Sequence, residues 1–217
     1  MRDRHIIAGF LLAGVLLAVL FVFYLLFKEP YRYAVLQEGG PVETASEAGY
    51  FLCALLMAYK GGWSYLKRFH YAFLVPIFLM LREMDFDHKF TTMGIFRTKF
   101  FLGDAVPVLE KLAGGAVVVL LLYISIRLFR GHFRHVRAGL RARDLTSIGI
   151  LASVVFLVAA KILDGWARRF RDMGYYVSHE ASRMASALEE IVELGIPMML
   201  LLTILAYFNR PERGARP

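Results

Sequence analysis

The chain has 217 residues, of which 58% are hydrophobic and 20% are charged, and its mean hydropathy is +0.53. Soluble domains are typically about 45–50% apolar and about 25% charged, so this composition excludes an ordinary soluble domain and a disordered chain. The formal charge of +8 would indicate a nucleic-acid partner in a soluble protein, but here it must first be tested against membrane topology. The single cysteine, Cys53, excludes an intramolecular disulfide and a zinc site built from several cysteines.

Six apolar segments predict an all-α, polytopic membrane protein in which residues 1–217 form one transmembrane domain. The first segment contains no charged residue over 22 positions, more than the roughly 20 that a helix needs to cross the hydrocarbon core. Its length and the lack of a small-residue cleavage site favour an uncleaved span over a signal peptide. In lipid, backbone polar groups must be bonded within the segment, so each span should be a helix. The predicted spans cover residues 6–27, 44–59, 66–82, 105–126, 145–163 and 188–208.

The loops between these spans differ in basic content. Lys and Arg number 14 on one side of the membrane and 10 on the other, and the remaining 2 lie within spans. The most basic loop, residues 127–144, carries six arginines. The positive-inside rule therefore places both termini in the cytoplasm. Topology and contact with anionic headgroups explain this basic loop without nucleic acid, so we predict membrane lipids as partners and no nucleic acid.

Acidic residues are sorted to the opposite side. Of the 18 Asp and Glu residues, 15 fall in the outer loops or at the outer ends of the predicted spans. Acidic residues contribute little to membrane orientation, so topology does not explain this distribution. Charges at membrane depth cost several kcal/mol unless they are paired, hydrated or bound to metal. A shared, water-accessible pocket that opens outward would relieve this cost for all of them.

We predict that acid–base or substrate-binding chemistry rests on charged residues at these outer helix ends. Crowded carboxylates oppose one another's ionisation, so one of them can hold a proton near neutral pH and act as a general acid. An arginine among them can bind a phosphate or carboxylate through two parallel hydrogen bonds. The candidate residues are Glu47, Arg82, Glu83, Asp164, Glu190 and Glu193. In the alternative interpretation, such residues form ion pairs that only hold helices together, for example Lys161 with Asp164.

A second group of residues has the donor types of a metal site. Carboxylates and imidazoles suit Mg, Ca, Mn or Zn, so a divalent metal is the cofactor that we expect. Such an ion would polarise an ester or phosphoryl oxygen, or lower the pKa of a bound water. The predicted ligands are Asp85, Asp87, His88 and His179.

Three short motifs carry a resemblance to a protein family. They are Glu38-Gly-Gly-Pro-Val-Glu43, Arg82-Glu83-x-Asp85-Phe86-Asp87 and Glu189-Glu190-x-x-Glu193-Leu194. In this arrangement the chain resembles uncharacterised bacterial multi-pass inner-membrane proteins that have paired acidic residues at helix ends. The resemblance implies a location in the bacterial inner membrane. The sequence differs from alkaline ceramidase-type hydrolases, because it has no His-x-x-x-His pair on the predicted outer side of the membrane.

Three functions are compatible with these patterns. The leading hypothesis is a metal-dependent, membrane-embedded hydrolase or transferase that acts on a lipid or periplasmic substrate. The second is a cation- or proton-coupled transporter whose ion path uses Glu47, Glu110 and Glu193. The third is a non-catalytic scaffold subunit whose charged outer face docks a partner protein. The inner halves of the spans have few polar groups, which disfavours a continuous ion path.

Overall fold

The computed structural model describes residues 2–28, 30–37 and 39–209, and these form an all-α structure that is 83% helical and has no strand. The C-terminal tail, which we predict to be cytoplasmic, and Glu38 of the first motif lie outside the described residues. The described residues form ten helices. They are α1 (Arg2–Leu26), α2 (Tyr31–Val35), α3 (Pro41–Arg68), α4 (His70–Glu83), α5 (Phe86–Phe90), α6 (Thr98–Leu102), α7 (Val108–Arg141), α8 (Leu145–Leu163), α9 (Trp166–Asp172) and α10 (His179–Phe208).

Helix α10 is the centre of the bundle. It packs against α8, α3 and α1, while α4 packs on α3, and α7 lies against α8 and α4. Half of its most apolar stretch is buried inside the protein, compared with 11% for α7 and 17% for α1. Side chains on α10 are therefore surrounded by protein on several sides, whereas α1 and α7 expose most of their apolar surface.

Four helices are long and apolar enough to cross a membrane, which indicates an integral membrane protein. They are α1, α7, α8 and α10, and they overlap four of the six predicted spans. The agreement is closest for α8, whose bounds coincide with the predicted span 145–163. Helix α7 has 34 residues, about 14 more than the 20 or so that a membrane requires.

The predicted spans 44–59 and 66–82 are not among these four helices, so a six-span topology stays a prediction. Helix α3 contains the first of them but bends at Gly62, whose φ of 64° lies in the left-handed region. The second is divided at Phe69, where α3 ends and α4 begins. Helix α4 has 14 residues and a length of about 21 Å, which is less than the hydrocarbon thickness of about 30 Å.

One face of α3 joins the core and positions the site described below. Its buried residues recur at helical spacing, which places them in a single stripe facing α10 and α4. This stripe consists of Val42, Ser46, Tyr50, Cys53 and Met57. A thiol–carbonyl contact of 3.5 Å, from Cys53 Sγ to the carbonyl oxygen of Pro197, links it to α10. Gly49 lets the two helices approach, because a Cβ there would lie 2.8 Å from Pro197.

Candidate functional site

Helix α10 brings two carboxyl groups into the core. Glu190 and Glu193 are three residues apart and so lie on one face of the helix, where they are 6% and 7% exposed. Pro197 follows within the same helix and has no N–H to donate to the carbonyl oxygen of Glu193. The helix therefore carries two buried acids directly before a point where its own hydrogen-bond ladder is interrupted.

Arg82, at the end of α4, crosses to this face of α10. Its Nη2 donates to Glu193 Oε1 at 2.7 Å, a short charge-assisted hydrogen bond. Its Nη1 lies 3.5 Å from Oε1 of the neighbouring Glu83, which is 8% exposed. The Arg82 side chain is itself 40% exposed, so its guanidinium joins two buried carboxylates to the surface of the protein.

Tyr50 completes this cluster from α3. It is fully buried, and its hydroxyl donates a long hydrogen bond of 3.5 Å to Glu83 Oε1. The sequence interpretation missed this residue, although a signal was present. Tyr50 stands in the same helical stripe as Ser46 and Cys53, and therefore points toward the core next to the acidic start of α3. We call Tyr50, Arg82, Glu83, Glu190 and Glu193 the central cluster.

Glu190 is the member of the central cluster without a direct partner for one of its carboxyl oxygens. Its Oε2 is buried and has no hydrogen-bond partner among the described residues. Glu43, Glu83 and Glu193 lie close enough to act on it electrostatically. The central cluster thus has one guanidinium for three carboxyl groups, and that guanidinium contacts Glu83 and Glu193. Arg82 cannot neutralise all of them if each is ionised.

The other predicted acid–base residues lie outside this cluster. Glu47 is half-buried on α3 and forms no hydrogen bond or ion pair with a described residue. Asp164 follows α8 and accepts a hydrogen bond of 2.6 Å from Lys161 Nζ. This hydrogen bond holds the pKa of the Asp164 carboxyl below its usual value of 3.8, and the charge of Arg82 acts in the same direction.

Three of the predicted metal ligands lie just beyond α4. Asp85 and His88 are exposed, and Asp87 is half-buried. A Cβ at Gly94 would lie 2.8 Å from His88 Nε2 and 3.2 Å from Asp87 Oδ2, so these two side chains lie against the same point of the following loop. Asp85 precedes them in a left-handed conformation, with a φ of 48°.

The fourth predicted ligand is not grouped with the other three. His179 is exposed at the start of α10, about 16 Å along the helix axis from Glu190. Across the described part of the chain, no three His, Cys, Asp or Glu side chains are placed to hold one metal ion. Glu110, assigned to the ion path of a transporter, instead accepts hydrogen bonds from the backbone N–H (2.8 Å) and hydroxyl (3.1 Å) of Thr92.

Comparison with known proteins adds no family to this description. No protein-family model, curated protein or solved structure matches the chain. The functional argument therefore depends on the central cluster and on the helices that hold it.

Proposed function

We propose that the protein is a membrane-embedded hydrolase or transferase of the bacterial inner membrane, with six spans and cytoplasmic termini. In this proposal the central cluster is its acid–base site, near the outer face of the membrane. Arg82 binds an anionic group of a lipid or periplasmic substrate, and Glu190 exchanges a proton with the reacting group.

The observation that carries this proposal is the buried, unpartnered oxygen of Glu190. An ionised carboxylate away from water and without hydrogen-bond donors is strongly disfavoured, so the neutral acid is the form that suits this position. A carboxylic acid that keeps its proton near neutral pH is what general acid catalysis requires. Glu193 and Glu83 support this state, because both contact the only arginine of the cluster, which forms no ion pair with Glu190.

Arg82 is suited to substrate binding because it is partly exposed. A guanidinium has five N–H donors, and the contacts of Arg82 with Glu193 and Glu83 involve only its two terminal nitrogens. Donors that remain on its exposed side can bind a phosphate or carboxylate, which arginine recognises in a planar, two-point geometry. The proposed substrate is therefore anionic or has an anionic headgroup.

A divalent metal is an additional element of this proposal, and no step of it depends on the metal. Asp87 and His88 offer one oxygen and one nitrogen donor beside Gly94, and both types suit Zn, Mg, Mn or Ca to differing degrees. An ion bound there would need water or substrate oxygens as its remaining ligands. It would supply Lewis-acid polarisation of a substrate oxygen.

Infrared spectroscopy of the purified protein tests the protonation of Glu190. We expect a protonated-carboxyl band at neutral pH that is lost in Glu190→Gln and kept in Glu180→Gln. Glu180 is a matched control, because it stands on the same helix and is exposed. A band that persists unchanged in Glu190→Gln would show that Glu190 is not the protonated group.

Turnover of lipid tests the activity. The protein is reconstituted in vesicles of bacterial lipid extract, and products are followed over time by mass spectrometry. We expect products with the wild type and with Glu180→Gln, and a loss of at least about 100-fold with Glu190→Gln, as for removal of a general acid. Equal rates for all three proteins would contradict the catalytic role.

A second candidate function is proton-coupled transport. The observation that favours it is the position of Glu190 within α10, which is both a candidate membrane span and the most buried one. A buried carboxyl that binds and releases protons is a common element of proton relays. Proton uptake by proteoliposomes, measured with an internal pH dye, distinguishes the two functions. Uptake that is lost in Glu190→Gln without lipid turnover would favour transport.

A further inference from the structure

The strongest feature outside the central cluster is a cavity where α7 meets the start of α4. It has a volume of about 320 Å³ and is lined by Tyr71, Ile126, Arg127, Arg130 and Gly131. This volume lies at the small end of the range for small-molecule sites, which is about 300–1,000 Å³. Its walls combine two guanidinium groups with aromatic and aliphatic surface, a composition suited to an amphipathic anion.

The charges in this cavity are uncompensated. Neither Arg127 nor Arg130 forms a salt bridge with any residue that the structure describes. The Arg127 guanidinium lies 5.2 Å from the centre of the Tyr71 ring, a cation–π distance that fixes its direction without neutralising it. Next to Gly131, the Nδ1 atom of His132 is buried and has no hydrogen-bond partner. Two cations in this region therefore have no anionic partner, and one imidazole nitrogen has no hydrogen-bond partner, within the described protein.

The geometry of α4 and α7 holds the cavity in shape. Arg127, Arg130 and Gly131 follow one another at spacings of three and one along α7, so they share the side of the helix that faces α4. One turn earlier, Tyr123 forms a hydrogen bond of 2.9 Å with His70 Nε2 and so joins the two helices. The ring of His132 also packs against Tyr71, with 5.7 Å between ring centres.

The depth of the cavity favours a lipid over a free ion. Arg127 lies about 29 Å along α7 from its first residue, Val108, close to the thickness of the hydrocarbon core. If Val108 stands at one boundary of the core, Arg127 and Arg130 stand at the headgroup level of the other. Phe129 and Phe133 on α7 are exposed and stacked at 4.8 Å, as suits the boundary between headgroups and acyl chains.

From these observations we infer that the cavity is a binding site for the phosphate of an anionic phospholipid headgroup. Arg127 and Arg130 bind the phosphate oxygens, and Tyr71 and Ile126 contact the glycerol and the first acyl carbons. The site is independent of the central cluster, which lies at the opposite end of α4. It also differs from a general basic surface, because it depends on two arginines and the open space above Gly131.

The test measures binding of dioctanoyl phosphatidylglycerol to the purified protein in zwitterionic detergent by native mass spectrometry. We expect one bound lipid in the wild type and a loss of affinity of about tenfold in Arg130→Gln. Arg141→Gln is the matched control, because it lies on the same stripe of α7 but about 16 Å farther along the helix. It should change the affinity less than twofold. An equal loss in both variants, or no binding to the wild type, would overturn the proposal.

A second variant separates the shape of the site from its charge. Gly131→Leu keeps every arginine and enters open space, because a Cβ at Gly131 would meet no atom within 4 Å. We expect it to fill the cavity and to reduce lipid affinity at least tenfold, while the protein remains folded. Unchanged affinity would show that the lipid binds elsewhere on the basic stripe. Inorganic phosphate is the final comparison: if it competes at the same concentration as the lipid, the ligand is free phosphate and the lipid assignment is wrong.

Discussion

The charged side chains at the two ends of α4 have opposite surroundings. At its C-terminal end, Arg82 stands among buried carboxyl groups and forms its short hydrogen bond within the protein. At its N-terminal end, Tyr71 faces arginines of α7 that have no carboxylate partner among the described residues. Acid exceeds base at the first end, and base is present without acid at the second.

This difference shows which partner each end requires. Buried charges must be neutralised within the protein or by a proton, because water cannot reach them. Exposed cations at the headgroup level can be neutralised from outside, by lipid phosphates. Single substitutions in the central cluster are therefore expected to lower the stability of the protein. The arginines of α7 are expected to affect binding and to leave stability nearly unchanged.

The largest effect should come from Arg82→Gln. This substitution leaves Glu83 and Glu193 buried without their cation, so the free energy of unfolding should fall by about 2–3 kcal/mol. The expected loss is smaller than the 3–5 kcal/mol of a fully buried pair, because Arg82 is 40% exposed. Chemical unfolding in detergent, followed by circular dichroism, measures it.

Two further variants check the cause of this loss. Arg97→Gln removes an exposed arginine from the loop before α6 and should change stability by less than about 0.5 kcal/mol. Adding Glu193→Gln to Arg82→Gln should restore part of the loss, since one unpaired carboxylate is removed. A double variant less stable than Arg82→Gln alone would show that the loss does not arise from an uncompensated charge.

An intermediate effect should follow from adding a methyl group at two glycines in contrasting places. At Gly195, on the buried face of α10, a Cβ would lie 2.6 Å from the Phe156 ring, and the ring would have to move. We expect Gly195→Ala to destabilise the protein by about 1–3 kcal/mol. Gly131→Ala meets nothing within 4 Å, and it should stabilise α7 by about 0.5–1 kcal/mol through helix propensity. Thermal unfolding measures both effects. A lower unfolding temperature for Gly195→Ala and a higher one for Gly131→Ala, each compared with the wild type, would confirm the contrast.

The smallest effect should be at the Lys161–Asp164 pair, whose side chains are 75% and 37% exposed. The hydrogen bond from Lys161 lowers the pKa of Asp164 in the folded protein. The resulting stabilisation is present above the unfolded pKa of 3.8 and is lost as pH falls through the lower, folded value. Lys161→Gln should therefore cost less than about 1 kcal/mol at neutral pH and nothing in strong acid. Unfolding curves at the two pH values would contradict this if the difference between the proteins grew on acidification.

The all-helical membrane character could be predicted from the sequence because it depends on local properties. The span 145–163 has one charged residue, Lys161, and lies between Asp144 and Asp164. Asp144 caps α8 by accepting a hydrogen bond of 3.0 Å from the N–H of Ser147, and α8 has the predicted bounds. The span 66–82 was harder to predict. Its apolar run is preceded by Lys67 and Arg68, and the structure divides it at Phe69, where α3 ends and α4 begins to pack on α3.

The composition of the central cluster was only partly accessible from the sequence. Clustered acids at outer helix ends indicated that charges share a site, and Arg82, Glu83, Glu190 and Glu193 do lie together. Their roles remain predictions. Tyr50 was missed, because the sequence shows its place in the buried stripe of α3 but not its polar partner Glu83 on α4. Asp85, Asp87, His88 and His179 have the donor types of a metal site, but donor type carries no information on the direction of a side chain.

By itself, the sequence determined that this protein is helical and apolar enough to span a membrane, since the length and hydropathy of each segment are properties of neighbouring residues. Only the tertiary structure decided which charges meet. Arg82 and Glu193 are 111 residues apart, and their 2.7 Å contact exists because α3 packs on both α10 and α4 and so brings the end of α4 to the acidic face of α10. That arrangement depends on contacts distant in sequence, for which a pattern along one chain carries no signal.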